Sequence, residues 1–138
     1  MAFEKFTQRG GRSRYGFAVV SIQASGGMTL NDISFSDLER PSHIVLSFDK
    51  EEQLVGLEPS NGKESYSFPV RDTTVTTGNQ TWAISTRSFC AYYDIDTAVT
   101  RRFKLTERQG VLSLDLNDPI AELKPRVRRQ RTSNASEL

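Results

Sequence analysis

Few side chains in this 138-residue sequence could do chemistry beyond packing, and most of them lack the partners that chemistry requires. His43 is the single histidine, so neither a Ser-His-Asp relay nor a histidine-rich metal site can be assembled within one chain. It reads as a residue at a strand edge. Cys90 is the single cysteine, which excludes an internal disulfide and a cysteine-based zinc site. Beside Phe89 on an expected helix, with no obvious base, it reads as a small buried thiol and not a nucleophile. Asp94 and Asp96 could contact a hard cation, but an oxygen-ligand site needs more ligands than that spacing supplies, and turn formation accounts for both. Arg9-Gly10-Gly11-Arg12 lacks the following Gly-Lys-Ser/Thr of a phosphate cradle. The sequence therefore predicts a non-catalytic protein with no cofactor and no metal.

The remaining chemistry is cationic. The net charge of +1 is unevenly spread. Lys5, Arg9, Arg12 and Arg14 against Glu4 give residues 1–15 a charge of +3, and Lys124, Arg126, Arg128, Arg129 and Arg131 against Glu122 and Glu137 give residues 121–138 another +3, leaving −5 for the body. Two basic ends on an acidic body suit mobile arms that neutralise phosphates and release counterions. The first arm, Gln8 to Gly16, mixes Arg, Gly and Tyr like an RGG segment, in which Arg14 and Tyr15 can stack on bases. Within the body, Arg87, Arg101, Arg102 and Lys104 add a second cluster. These residues are the candidate nucleic-acid contacts, with DNA favoured and RNA possible. The rival expectation is a protein-interaction or phage structural subunit whose acidic body is the interface, with the ends as solubilising tails.

Length and composition set the frame for positioning them. Hydrophobic residues make up 36% and charged residues 25%, enough for one modest core. No apolar run approaches the ~18 residues of a membrane span, and the N-terminus has no apolar segment behind its charges, so neither a membrane protein nor a secretory signal is expected. With one cysteine, a reducing cytoplasmic setting is the expectation. The domain plan is an Arg/Gly arm at 1–15, one globular domain at 16–120 and a basic disordered tail at 121–138.

Along the body, Gly16 to Ala24 is rich in β-branched residues and reads as a strand ending at Ser25-Gly26-Gly27. Met28-Thr29-Leu30 starts a second strand, and Ile33 to Arg40 reads as a helix of at most two turns, capped from Asn31, Asp32 or Ser34 and stopped by Pro41. His43 to Phe48 and Gln53 to Leu57 predict a β-hairpin. Tyr66 to Val70 is a strand that Pro69 pushes to an edge, and Arg71 to Thr81 is a loop or weak strand. Trp82 to Tyr93 predicts a short strand and then a helix from about Ser85 or Ser88. A second hairpin is expected from Ala98 to Leu105 and Gly110 to Leu116, turning across Thr106 to Gly110, with Asn117-Asp118-Pro119 ending the ordered body.

The two halves resemble each other. Leu30, Phe35, Leu38 and Phe48 recur as Ile84, Phe89, Tyr92 and Phe103 with one inserted residue. Each half, about 18–60 and 80–117, is a strand-helix-hairpin unit too small to bury its own apolar face. The expected fold is therefore α+β, mostly β, with two such units about a pseudo-twofold axis and flexible basic termini, as a monomer or a homodimer.

Gly27-Met28-Thr29-Leu30-Asn31, then Phe35-x-x-Leu38, Pro41 and the Ile44 to Asp49 strand with its returning partner, resemble the AbrB/SpoVT swapped-hairpin half-module. The likeness covers about residues 18–58, with an echo at 82–116. It implies interlocked strands and a DNA-binding, regulatory role with basic residues near the first strand and turn. Asn31 stands where that family has Pro, Ser42-His43 stand for Gly-Asp, and Met28 to Lys63 carries three basic against seven acidic residues, whereas Gln80 to Leu116 has a charge of +1. The chain also resembles a set of short prokaryotic and phage-borne proteins of unknown role.

Overall fold

The β-branched and aromatic runs build eleven short strands and two six-residue helices in a computed structural model that describes residues 15–73 and 81–123. In chain order these are β1 (Val19–Ile22), β2 (Met28–Leu30), α1 (Asp32–Asp37), β3 (His43–Asp49), β4 (Leu54–Ser60), β5 (Phe68–Pro69), β6 (Arg71–Asp72), β7 (Trp82–Ile84), α2 (Arg87–Tyr92), β8 (Thr100–Lys104), β9 (Thr106–Arg108), β10 (Val111–Asp115) and β11 (Ala121–Leu123). They form two antiparallel sheets. The first has the order β11-β8-β1-β2-β7-β6, the second β5-β3-β4-β10-β9. The fold is α+β and mostly β.

Alternation decides what lies between the sheets. Val20, Ile22, Met28, Leu30, Ile84 and Phe103 from the first sheet meet Ile44, Val55, Leu57 and Leu114 from the second, each almost wholly buried. Leu38, Phe89 and Cys90 bring the helices onto this core. Phe35 stacks on Trp82 with ring centres 4.2 Å apart, tying α1 of the first half to β7 of the second.

The pairing register of each sheet has a local pseudo-twofold axis. In the first sheet it passes the Thr29·Ala83 pair of β2 and β7, in the second the Gly56·Ser113 pair of β4 and β10. The helices correspond with a shift of 55 residues, Asp32 to Arg87, and each is followed by a positive-φ residue at the same shift, Glu39 and Asp94. At that shift Phe35 aligns with Cys90 and Leu38 with Tyr93, which corrects the expected matches with Phe89 and Tyr92, and the hairpin registers correct the expected match of Phe48 with Phe103. Asp49 faces Leu54 in the first hairpin and Arg108 faces Val111 in the second, which aligns Phe103 with Ile44. The second half holds extra residues between helix and strand and a tighter turn.

Two other expectations are corrected. The second hairpin does not run unbroken from Ala98 across a five-residue turn: the strand divides at Leu105, whose buried N–H donates to Ala18 O, so that β8 joins β1 and β9 joins β10. The turn is only Gln109-Gly110, both at positive φ (53° and 82°), as a two-residue turn matched to strand twist requires. Nor does order end at Pro119. Asp115 accepts the Asn117 N–H through Oδ1 and the Asp118 N–H through its carbonyl, the chain reverses, Ile120 N donates to Arg102 O, and residues 121–123, placed by the sequence in the tail, pair with β8 as β11.

Candidate nucleic-acid interface

Paired residues on neighbouring antiparallel strands project to the same face. In the first sheet, that rule strings one row across all six strands: Ala121, Arg102, Ser21, Thr29, Ala83 and Arg71. Its alternate rows hold Phe103, Val20 and Leu30 and face the core. The six-strand row therefore lies on the outward face. Arg102 and Arg71 are four strand intervals apart, roughly 19 Å. Lys104 and Thr100 share the Arg102 side of β8. The acidic strand residues of this sheet, Asp72 and Glu122, pair with Trp82 and Arg101 and so belong to the alternate rows. The outward strand positions thus carry three cations and no carboxylate over a floor of small side chains.

At the β8 end the cations are held against aromatic rings. Arg102 Nη1 donates to Tyr15 Oη at 3.3 Å, and its guanidinium carbon is 5.9 Å from the Tyr15 ring centre. Lys104 Nζ lies 5.1 Å from the centre of the Phe17 ring, which is tilted against Tyr15 at 5.5 Å. Phe17 remains 37% exposed, a large apolar surface beside two cations. Asn31 secures this strap: its Nδ2 donates to Phe17 O at 3.0 Å, while its Oδ1 accepts from Val19 N and, as the α1 N-cap, from Ser34 N at 2.8 Å. Proline at position 31 could make none of these side-chain bonds.

At the other end, Arg71 and Arg87 line a groove of about 430 Å³ with Gln23, Ser25, Thr29 and Ser85, and no acidic side chain lines it. Gly26 fixes the position of Arg87. It sits at φ +95°, a Cβ there would meet the Arg87 Cα at 3.1 Å, and its carbonyl accepts the buried Thr86 hydroxyl at 2.7 Å. Hydroxyls and an amide continue between the two ends, since Gln23 Nε2 donates to Thr29 Oγ1 and Thr100 Oγ1 donates to Gln23 Oε1.

The structure brings Tyr15, Arg87, Arg102 and Lys104 of the expected contacts to this face. Arg101 is separated from them. It occupies the alternate register beside Phe103 and is pinned to Asp96, by an ion pair at 3.0 Å and a bond to the Asp96 carbonyl at 3.0 Å. Arg9, Arg12, Arg14, Lys124, Arg126, Arg128, Arg129 and Arg131 lie outside the described residues. Sequence reasoning missed Phe17 and Arg71. Period-two alternation from Val19 and Ser21 back to Phe17 carried the first signal, whereas Arg71 enters only through the two-residue pairing of β6 with β7.

The other reactive residues have structural surroundings. Cys90 is buried, its Sγ 3.5 Å from Gly26 O, and burial pushes its thiol pKa up. Asp96 Oδ1 accepts from Ala98 N and its Oδ2 pairs with Arg101; Asp94, at φ +55°, ends α2. His43 begins β3 with Nδ1 2.9 Å from Ser42 Oγ and its ring packed over Gly62, leaving no room for a Cβ there. Among the described residues, no group of three or more His, Cys, Asp or Glu side chains could hold a metal ion. A groove of about 600 Å³ elsewhere has the opposite character: Leu38, Leu57, Leu105 and Leu112 form its floor, Asp37, Glu39, Glu58 and Glu107 its walls. None of these four carboxylates makes an ion pair among the described residues.

These features define a two-sheet, pseudo-symmetric α+β protein with a cationic outer sheet face. No helix among the described residues is long and apolar enough to cross a membrane. No family model matches the chain, and no curated protein or solved structure matches it either.

Proposed function

We propose that this is a small, non-catalytic nucleic-acid-binding protein of regulatory or accessory type that meets phosphates with the outward face of its six-stranded sheet. The carboxylate-free row from Arg102 to Arg71, flanked by Lys104 and Arg87, carries this reading. It also reconciles the AbrB resemblance with the acidic first half. The row draws on both halves and leaves the acidic β3–β4 hairpin in the other sheet. The basic ends would add to the same phosphate grip.

The test is fluorescence anisotropy with labelled nucleic acid at several salt concentrations, comparing the full chain with its Arg71→Gln/Arg102→Gln variant. Each lost phosphate contact lowers the log-log salt slope by about 0.7 to 0.9. A fall of about 1.4 to 1.8 is expected. An unchanged slope and affinity would refute the assignment. A second reading, a protein-interaction subunit, is favoured by the leucine-floored acidic groove, which suits a basic protein segment. A nuclease-resistant stoichiometric complex that weakens in Glu58→Gln/Glu107→Gln would select it.

A further inference from the structure

We infer that the nucleic acid this face accepts is single-stranded, with a base stacking on Phe17. The inference rests on the nucleic-acid reading above and narrows it to one substrate class. Duplex sequence is read by an element that protrudes into a groove, a helix or a two-stranded ribbon. The cations here have no such carrier. Arg87 is the only one on a helix, and that helix has six residues. Arg71, Arg102 and Lys104 rise from strands of a sheet whose middle is the small side chains Ser21, Thr29 and Ala83, so none of them is carried by an element that protrudes.

A single strand fits what is there. Phe17 is the exposed aromatic of this face, and its backbone is held by Asn31 and its ring by Tyr15. A base arriving on the ring displaces the exposed Lys104 ammonium from 5.1 Å above it onto the adjacent phosphate. Cation–ring pairing in the free protein thereby becomes stacking plus charge neutralisation in the complex. Arg102, kept beside Tyr15, and then Arg71 and Arg87 across the floor continue the phosphate track. Thr29 and Ser85 lie beneath the bases, where hydroxyls tolerate any sequence. The track length corresponds to a site on the order of four nucleotides.

The experiment titrates the full chain with a labelled oligothymidine of about 15 nucleotides and with a duplex of equal length, at matched salt, for wild type, Phe17→Leu and Phe17→Trp. Tighter binding of the single strand is expected. Phe17→Leu should weaken it roughly tenfold, the scale of one stacked base, with the salt slope and duplex affinity unchanged. Phe17→Trp should keep the affinity, and its added indole fluorescence should be quenched on saturation, a readout that stands even if the leucine variant folds poorly. Equal affinity for both nucleic acids, with Phe17→Leu neutral or weakening both alike, would overturn the single-strand inference and leave the phosphate reading intact. Indole emission unmoved at saturating single strand would also overturn it. Binding of neither nucleic acid by the wild type at low salt would overturn the parent reading.

Discussion

Asn31 is where sequence, fold and candidate site meet, and replacing it in two ways separates its bonds. Its Oδ1 accepts from Ser34 N at 2.8 Å and Val19 N at 3.1 Å, and its Nδ2 donates to Phe17 O at 3.0 Å. Asn31→Ala removes the helix cap, worth about 1 kcal/mol. It also strands the N–H of Val19, a residue 3% exposed, and an unsatisfied buried donor costs about 1–3 kcal/mol. The exposed Phe17 carbonyl can turn to water and adds little. The expected loss is about 2–4 kcal/mol, a large share of the ~5–15 kcal/mol that holds a domain of this kind together. Asn31→Asp keeps both acceptor bonds and loses only the donor, while its charge at the start of α1 returns about 0.3–1 kcal/mol, so the net change should stay within about 1 kcal/mol. Urea unfolding followed by the fluorescence of Trp82 is a suitable assay, because that single tryptophan stacks on Phe35 of α1. If aspartate costs as much as alanine, or alanine costs less than about 0.5 kcal/mol, this account of Asn31 is wrong.

Two further outcomes follow from the groove around Arg87. Gly26→Ala combines a left-handed backbone, φ +95°, with a Cβ 3.1 Å from Arg87 Cα, and should cost about 1–3 kcal/mol in chemical denaturation while shifting Arg87 enough to lower nucleic-acid affinity; an unaltered midpoint would contradict it. The Cys90 thiol, raised by burial, should resist iodoacetamide in the native chain and react quickly in urea. Because its folded pKa exceeds the unfolded one, its contribution to stability is intact below about pH 8.5 and declines as pH climbs through the ordinary thiol range towards the raised value. Rapid native labelling, or a fall in stability from pH 8 to 10 no steeper in wild type than in Cys90→Ala, would refute this.

Local pattern carried the elements that depend on local physics. Alternating Ile44, Leu46 and Phe48 gave the first hairpin, Asn31 the start of α1, and Pro69 a strand at the very edge of its sheet. The errors lie where partners distant in sequence decide. Nothing around Leu105 announces that one continuous β pattern will split between sheets, since the cause is the Ala18 carbonyl far earlier in the chain. Gln109 at positive φ is an uncommon residue for its turn, so the tight hairpin was read as a longer loop. Arg101 and Arg102 are adjacent and chemically identical, yet one is pinned to Asp96 and the other faces outward, a distinction set by register alone.

The same register argument explains how a chain of net charge +1 presents a cationic face. Charge counted by segment measures sequence neighbours, but a sheet face collects every second residue from strands far apart in the chain. The pseudo-twofold axis of the first sheet makes the row through Thr29 and Ala83 its own image, so Ser21 on β1 and Arg71 on β6 occupy matching places. The first half supplies a small hydroxyl there, and β8 extends the sheet beyond it to set Arg102 one strand in from the β11 edge. Splitting at Leu105 is what frees β8 for that place, because an unbroken β8–β9 strand would belong to the second sheet with β10. The misread bend and the candidate interface therefore have one cause: the pairing of Val19 to Ile22 with Thr100 to Lys104 both breaks the hairpin and carries Arg102 and Lys104 to the face that Phe17 shares.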